Sequence, residues 1–223
     1  MSAELGGLVL AVDTSAVVAG VAVANSAGVI VSGCRPAVGR QEEELAPLIQ
    51  RVVAEASADF SLISNVVCAV GPGPYTSLRV GVMTAQVLAA AIGAKAYGIC
   101  THDVLASQFS ADHEVVVVTQ ARRCEPAFSV YVGDEKIEGP AIAPLEEILT
   151  KRPGAQVVAT IDIGVPQVSL DPAVLAEYFL SSTQGRVARG AGLLEPVPIY
   201  LRPADVREPI DLRGKALRAA INL

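Results

Sequence analysis

The fold is decided by residues 8–31, LVLAVDTSAVVAGVAVANSAGVIV. Leu8 to Val12 is a continuous apolar run, and Val18 to Ala24 is a second run, rich in valine and alanine. A turn signal at 25–28, Asn-Ser-Ala-Gly, separates the second run from a third at Val29 to Val31. Short apolar runs joined by tight turns predict an antiparallel meander of three strands.

After the meander, the apolar residues recur at intervals of three and four through residues 45–56, which predicts an amphipathic helix that Pro47 either opens or kinks. A buried strand at Asn65 to Val70 is followed by an almost wholly apolar helix from Thr76 to Ile92, closed by a glycine. A strand at 94–99 and a short helix capped by Thr101 complete this part of the chain. This order is that of one ribonuclease-H-like lobe.

A second, shorter round of elements starts at Glu114 to Val118. Its predicted members are a strand at 127–132, a turn at Gly133-Asp134, a helix at 145–149, a strand at 156–161, and a helix containing Tyr178 that Asp171 caps and Pro172 opens. We therefore predict an α/β protein of two ribonuclease-H-like lobes, residues 1–110 and a reduced lobe at 111–223.

Composition excludes several classes of protein. Hydrophobic residues make up 52% of the 223 residues and charged residues 18%, which predicts a sizeable core and not a disordered chain. The net charge of −6 argues against tight RNA binding by the chain alone. Four dispersed cysteines are typical of reduced thiols. No segment has the pattern of a signal peptide or a membrane span, so we expect a cytoplasmic protein with no membrane contact.

Two segments are candidates for contact with a nucleotide or another anion. Asp13-Thr14-Ser15 ends the first strand, where a carboxylate beside hydroxyls and backbone amides either holds magnesium or a phosphate-bound water, or only caps the turn. The loop at 71–79, GPGPYTSLR, either presents backbone amides to an anion or is a rigid connector. The candidate contacts are Asp13, Thr14, Ser15, Gly71, Gly73 and Thr76.

No catalytic residue and no metal site is predicted. His102 and His113 are the only histidines, and their separation does not match a paired helical ligand set. The chain contains neither the Gly-x-Ser-x-Gly elbow of serine hydrolases nor the glycine-lysine pattern of a P-loop.

A partner surface is predicted on the helix at 76–92. Gly81, Ala85 and Ala89 lie four residues apart and share a face that a second helix could approach closely. With the preceding helix they would form one apolar surface for a four-helix bundle, either in a homodimer or with another protein. The alternative is that these small residues pack within their own lobe. The predicted interface residues are Leu45, Leu48, Ile49, Val52, Gly81, Ala85, Leu88 and Ala89.

Four segments together resemble the TsaB (YeaZ) family in order and spacing along nearly the whole chain. They are residues 9–15, 71–81, 121–125 and 198–202. Three residues depart from the usual family pattern in the loop at 71–79, which we call the glycine loop: Pro74, Tyr75 and Ser77. Elsewhere, Gln120 replaces an aspartate that is usual in the family, and Gln41 stands near a position where a histidine is common.

The resemblance implies a fold and a function. The fold would be that of the actin, sugar-kinase and heat-shock ATPase superfamily. The chain would be a non-catalytic scaffold that pairs with the catalytic subunit TsaD and the ATPase TsaE, in a complex that transfers a threonylcarbamoyl group to the adenosine beside the tRNA anticodon. The isolated chain would need no cofactor, tRNA would bind through the complex, and ATP or ADP with magnesium is compatible with the assembled complex.

Two enzymatic alternatives stay open. A small actin-family ATPase or kinase-like enzyme would need acidic groups on both lobes, and Gln120 stands where the second should be. A peptidase like relatives of TsaD would need metal ligands, and the sequence does not display such a set.

Overall fold

The computed structural model describes residues 7–16, 18–25, 27–36, 41–109, 112–122, 125–160, 162–169, 175–188 and 192–201. Within them the chain forms two five-stranded sheets with helices packed against them.

The first sheet combines the predicted meander with two parallel strands. Its strands are β1 (Leu8–Asp13), β2 (Val18–Asn25), β3 (Gly28–Pro36), β4 (Ile63–Ala69) and β5 (Lys95–Ile99). Their order across the sheet is β3-β2-β1-β4-β5. β1 pairs antiparallel with β2 and parallel with β4, so the carboxyl ends of β1 and β4 lie side by side.

Two helices cover one face of this sheet: α1 (Gln41–Glu55) and α2 (Tyr75–Ile92). Alternate residues of β1, Leu10 and Val12, face these helices, as the period of two in a strand requires. Pro47 lies inside α1, so the alternative in which it opens the helix is wrong. α2 ends as predicted, because Gly93 adopts the left-handed conformation that closes a helix.

The short helix α3 (Thr101–Ala106) leads from the first sheet to the second. The prediction that Thr101 caps this helix is wrong. Cys100 occupies the N-cap position without a side-chain hydrogen bond, and Thr101 is the first helical residue.

The second sheet repeats the arrangement on a smaller scale. Its strands are β6 (Glu114–Arg122), β7 (Glu125–Val132), β8 (Glu135–Ile142), β9 (Gln156–Ala159) and β10 (Val168–Ser169), in the order β10-β9-β6-β7-β8. The helix α4 (Leu145–Lys151) packs against this sheet through Ile148. The sequence prediction missed β8 and β10. The predicted cap at Asp171 and Pro172 lies outside the described residues.

The last helix, α5 (Leu175–Ala188), returns to the uncovered face of the first sheet. Ala176, Phe179 and Leu180 pack there against Val9 and Ala11 of β1 and against residues of β2 and β4. The division of the chain at residue 110 stays a prediction, and these contacts cross it.

Residues 194–200 also return to the first lobe. Gly98 of β5 exchanges two backbone hydrogen bonds with Leu194, and Ile199 N donates to Val70 O at 2.7 Å. The side chain of Gln86 on α2 donates to Pro196 O at 2.7 Å. We call residues 194–200 the C-terminal strap.

Candidate functional site

The structure brings the two predicted anion-contact segments together where β1 and β4 end. The glycine loop presses on the turn after β1 so closely that a Cβ on Gly73 would lie 2.6 Å from Ser15 O. In the same turn, Thr14 Oγ1 donates a hydrogen bond to Ser77 O, in the first turn of α2, at 2.7 Å. Gly71 has φ of 96°, which favours glycine, and its carbonyl accepts from Thr101 N at 2.8 Å.

Asp13 is enclosed at the centre of this cluster. The residue is 0% exposed, and its Oδ1 accepts a hydrogen bond from Ser15 N at 2.7 Å. Among the described residues, Oδ2 of Asp13 has no hydrogen-bond partner, and the buried hydroxyls of Ser15 and Thr101 have none either. Burial raises the pKa of the Asp13 carboxyl from 3.8 to about 6, against the opposing hydrogen bond from Ser15.

The burial of the cluster decides what it can do in this conformation. Asp13 and Thr14 are fully buried and Ser15 is 3% exposed, whereas Thr76 is exposed on α2. A nucleotide or hydrated magnesium ion therefore cannot reach the Asp13 carboxylate unless the turn and the glycine loop separate. The unpartnered oxygens could accept a hydrogen bond or bind a cation such as magnesium, as predicted for this segment. Because they are buried, no such ligand can reach them in this conformation.

Replacing Asp13 with asparagine tests this description of the carboxylate. In the wild type, the stabilising effect of the protonated form is complete below pH 3.8 and is lost as the pH rises through about 6. Asp13→Asn should therefore gain stability relative to the wild type between pH 4 and pH 8, by about 2–3 kcal/mol from the size of the shift. Urea unfolding of both proteins across this range measures the difference.

The comparison of the two proteins cancels the titration of other groups that they share. His102 is such a group, because burial lowers its pKa to about 3 and makes the fold lose stability as the pH falls below 6.5. A difference between variant and wild type that is constant with pH would contradict a buried, ionisable Asp13.

His102 links the two sheets beside this cluster. The residue is fully buried in α3, and its ring nitrogens lie 2.7 Å from Ser129 Oγ on β7 and 2.9 Å from Thr119 Oγ1 on β6. Thr119 also donates to Pro72 O of the glycine loop at 3.5 Å. The only buried histidine of the described residues thus holds the lobes together as a neutral hydrogen-bonding group. The sequence interpretation, a first-turn helix residue with no metal role, did not foresee this contact.

The predicted partner interface is wrong for nearly all of its residues. Leu88 is partly buried against the core of the first lobe. The other seven are fully buried in that lobe: Leu45, Leu48, Ile49, Val52, Gly81, Ala85 and Ala89. The small residues of α2 face inward because they allow the turn after β1 to approach, and a Cβ on Gly81 would lie 2.2 Å from Thr14 Oγ1. The alternative, packing within the lobe, is the one observed.

A different face of α2 is exposed and apolar. Met83 is 54% exposed and Val87 is 62% exposed, although both lie on a helix of the first lobe. At the start of α2, the rings of Tyr75 and Tyr200 stack with centroids 4.9 Å apart. With Val197 of the C-terminal strap, which is 59% exposed, these five residues form what we call the α2 surface.

Arg79 lies beside the α2 surface. Its guanidinium lies 5.5 Å from the centroid of the Tyr75 ring, and Nη1 donates to the Tyr75 hydroxyl at 3.3 Å. Arg79 therefore has an aromatic partner in Tyr75. This contact stabilises the aromatic end of the α2 surface.

The described residues contain no group of three or more histidine, cysteine, aspartate or glutamate side chains placed to hold a metal ion. By length and composition, α2 is the one helix of the described residues that would suffice to cross a membrane. One face of α2 packs into the core of the first lobe, as in a helix that covers a sheet.

Comparison with known proteins identifies the class. A sequence model of the family described as "TsaD: tRNA N6-adenosine threonylcarbamoyltransferase" matches residues 32–191. The chain therefore belongs to this family of tRNA-modification proteins. Within it, the resemblance to TsaB (YeaZ) is confirmed by the solved structures described next.

YeaZ from Pseudomonas aeruginosa superposes with a TM-score of 0.71 at 23% identity, over 87% of this chain and 100% of that one. The ethanolamine utilization protein EutJ from Carboxydothermus hydrogenoformans is more distant, with a TM-score of 0.50 and 10% identity, over 78% of this chain and 89% of that one. These likenesses confirm the predicted α/β fold with two sheets, which is shared with YeaZ.

Sequence relatives occur in mycobacteria. The uncharacterized protein Rv3421c of Mycobacterium tuberculosis (strain ATCC 25618 / H37Rv) is 30% identical over 205 residues, 89% of this chain and 93% of that protein. The uncharacterized protein ML0378 of Mycobacterium leprae (strain TN) is 30% identical over 209 residues, 90% of this chain but 56% of that longer protein.

Proposed function

We propose that this chain is a non-catalytic subunit in threonylcarbamoyl transfer to the adenosine beside the tRNA anticodon. It acts by binding the catalytic subunit TsaD, and the ATPase TsaE and the tRNA join through the complex. Membership of the TsaD family and the YeaZ-like fold support the class of reaction. The single observation that carries the binding role is the exposed apolar α2 surface.

The α2 surface has the composition of a protein interface. Methionine and tyrosine are enriched where proteins associate, and large exposed apolar side chains that adjoin one another on a soluble domain mark binding sites. α2 contains no acidic residue and one cation, Arg79, whereas the exposed residues Glu43, Glu44 and Glu55 lie on α1. We propose that TsaD covers the α2 surface, and that a second copy of this chain covers it in a homodimer when TsaD is absent.

The enclosed Asp13 cluster supports a role other than catalysis. A catalytic carboxylate must contact its substrate, and Asp13, Thr14 and Ser15 are shielded from solvent in this conformation. We propose that the isolated chain needs no cofactor and that ATP or ADP with magnesium binds only in the assembled complex. The cytoplasm is the compartment we propose for it, since tRNA modification takes place there.

Replacing Met83 with glutamate tests the binding role. The residue is exposed, so the fold should tolerate the charge, whereas an interface centred on it would bury that charge without a partner. We expect TsaD to bind Met83→Glu about tenfold or more weakly than the wild type, measured by isothermal titration calorimetry with purified TsaD.

Ile137→Glu is the matched control. Ile137 is 45% exposed on β8 in the second sheet, so the same charge is introduced at a similarly exposed apolar residue away from α2. Equal affinity of TsaD for Met83→Glu and the wild type, with circular dichroism showing both folded, would exclude the α2 surface as the interface.

Reconstitution tests the non-catalytic role. The chain alone should neither modify tRNA nor bind it tightly, and modification should require TsaD together with the enzyme that forms the adenylate. Modification by this chain with substrate alone would overturn the proposal. Tight binding of magnesium-ATP by the isolated chain would favour the ATPase alternative, and hydrolysis of casein would favour the peptidase.

A further inference from the structure

The C-terminal strap runs beside α2. Gln86, in the second half of the helix, donates through Nε2 to Pro196 O at 2.7 Å, and Tyr75, the first residue of the helix, stacks on Tyr200. In a helix, the step from residue 75 to residue 86 rises about 16 Å, and an extended chain from residue 196 to residue 200 spans about 13 Å. Because the two lengths are similar, the strap follows α2 over this distance toward the N-terminus of the helix.

The strap widens the apolar face of α2. Met83 and Val87 lie four residues apart, so they share one face of the helix, and Gln86 lies next to both on the helix surface. Val197 of the strap is 59% exposed and directly follows Pro196, the residue that Gln86 binds. The exposed apolar side chains of the helix and of the strap therefore adjoin one another at Gln86.

Little apolar burial holds the strap in place. Of residues 194–200, all of which the structure describes, only Pro196 is buried. Ile199 is partly buried against the core of the first lobe, whereas Val197 and Tyr200 are exposed. A segment that buries little apolar surface opens more easily than a core element. The hydrogen bonds of the strap therefore decide how much of the time it lies on the lobe.

Gln86 supplies one of these hydrogen bonds at the buried point of the strap. A buried backbone carbonyl that loses its donor costs free energy, so without the Gln86 amide the Pro196 carbonyl would favour a strap that has moved out to water. The neighbouring edge of β5 also leaves room for the strap, since a Cβ on Gly98 would lie 2.5 Å from Glu195 O.

We propose that Gln86 is a positioning residue that holds the strap beside α2, so that TsaD binds a composite surface. Met83 and Val87 of α2 form one side of this surface, and Val197 and Tyr200 from the end of the chain form the other. The inference rests on the proposed binding of TsaD to the α2 surface, and it adds that the affinity depends on the position of the strap.

Gln86→Met tests the positioning role, because methionine is similar in size but has no N–H donor. Exchange of the Ile199 amide proton, which is donated to Val70 O, should become about two- to fivefold faster, measured by NMR on the full chain. The affinity of TsaD should fall about two- to fivefold, measured by isothermal titration calorimetry. Gln50→Met makes the same change at an exposed residue of α1 and should alter neither quantity.

Val197→Glu tests the contact that the strap itself makes. The residue is exposed, so the fold should tolerate the charge, whereas a composite interface would bury it without a partner. TsaD should bind Val197→Glu about tenfold or more weakly than the wild type, as expected for Met83→Glu, and Ile137→Glu again serves as the control.

The results separate this inference from the proposed function. If Met83→Glu weakens binding and Val197→Glu does not, TsaD contacts α2 alone and only the inference is overturned. It is also overturned if Gln86→Met weakens binding without faster exchange at Ile199, since Gln86 would then contact TsaD itself, or if exchange becomes faster with unchanged affinity. Unchanged binding of both glutamate variants would overturn the proposed interface as well.

Discussion

Replacing Phe179 with alanine lowers the free energy of unfolding by about 3–5 kcal/mol, the cost of removing a buried aromatic side chain and leaving a cavity. Phe179 is 0% exposed and packs with Ala176 and Leu180 of α5 on the first sheet. Urea unfolding followed by circular dichroism gives the difference between variant and wild type.

Ser181→Ala is the control on the same helix. Ser181 is exposed and its hydroxyl only donates to Tyr178 O within α5, so its loss should change stability by less than about 0.5 kcal/mol. If Phe179→Ala and Ser181→Ala unfold at the same urea concentration, α5 does not hold the first sheet.

Adding one methyl group at Gly81 also has a large expected effect. The Cβ of alanine would lie 2.2 Å from Thr14 Oγ1, and Thr14 cannot move away without giving up its 2.7 Å hydrogen bond to Ser77 O. We expect Gly81→Ala to lower the free energy of unfolding by about 2–3 kcal/mol, despite the higher helix propensity of alanine.

Gly192→Ala makes the same change where nothing lies within 4 Å of the added Cβ. Its stability should equal or slightly exceed that of the wild type, because alanine has less freedom in the unfolded chain. Thermal and urea unfolding of both variants check the pair. A Gly81→Ala protein as stable as Gly192→Ala would show that α2 does not press on the turn after β1.

The meander and the helix α2 could be predicted because their signals are local. Apolar runs and turn residues mark β1 to β3, and Gly93 marks the end of α2. Strand β8 was missed for a local reason too. Its sequence, EKIEGPAI, mixes charges, glycine and proline, which are typical of an exposed edge strand that lacks a buried face.

The orientation of α2 could not be predicted from its sequence, since almost every position on it is apolar. Hydrophobicity therefore did not distinguish the face with Ala85, which packs inward, from the face with Met83, which is exposed. The decisive contact, between Gly81 and Thr14, joins residues 67 positions apart, from 14 to 81, and leaves no mark on the local pattern.

The meeting of Asp13 with the glycine loop could be predicted in outline, since both follow neighbouring parallel strands. The enclosure of Asp13 depends on how closely the loop packs on the turn, which the order of elements does not determine. The helix with Tyr178 was predicted, but the return of α5 and of the C-terminal strap to the first sheet was not, because these contacts join residues far apart in the chain, such as Val70 and Ile199.

The packing of α5 on the first sheet also has a consequence for folding during synthesis on the ribosome. The strands of the first lobe emerge early, but the face of β1 that carries Val9 and Ala11 lacks the cover of α5 until residues 175–188 have been synthesised. During that interval an apolar sheet face is open to solvent, the condition in which a nascent chain aggregates or recruits a chaperone. A chain whose synthesis stops before α5 therefore has an exposed apolar sheet face and is prone to aggregate.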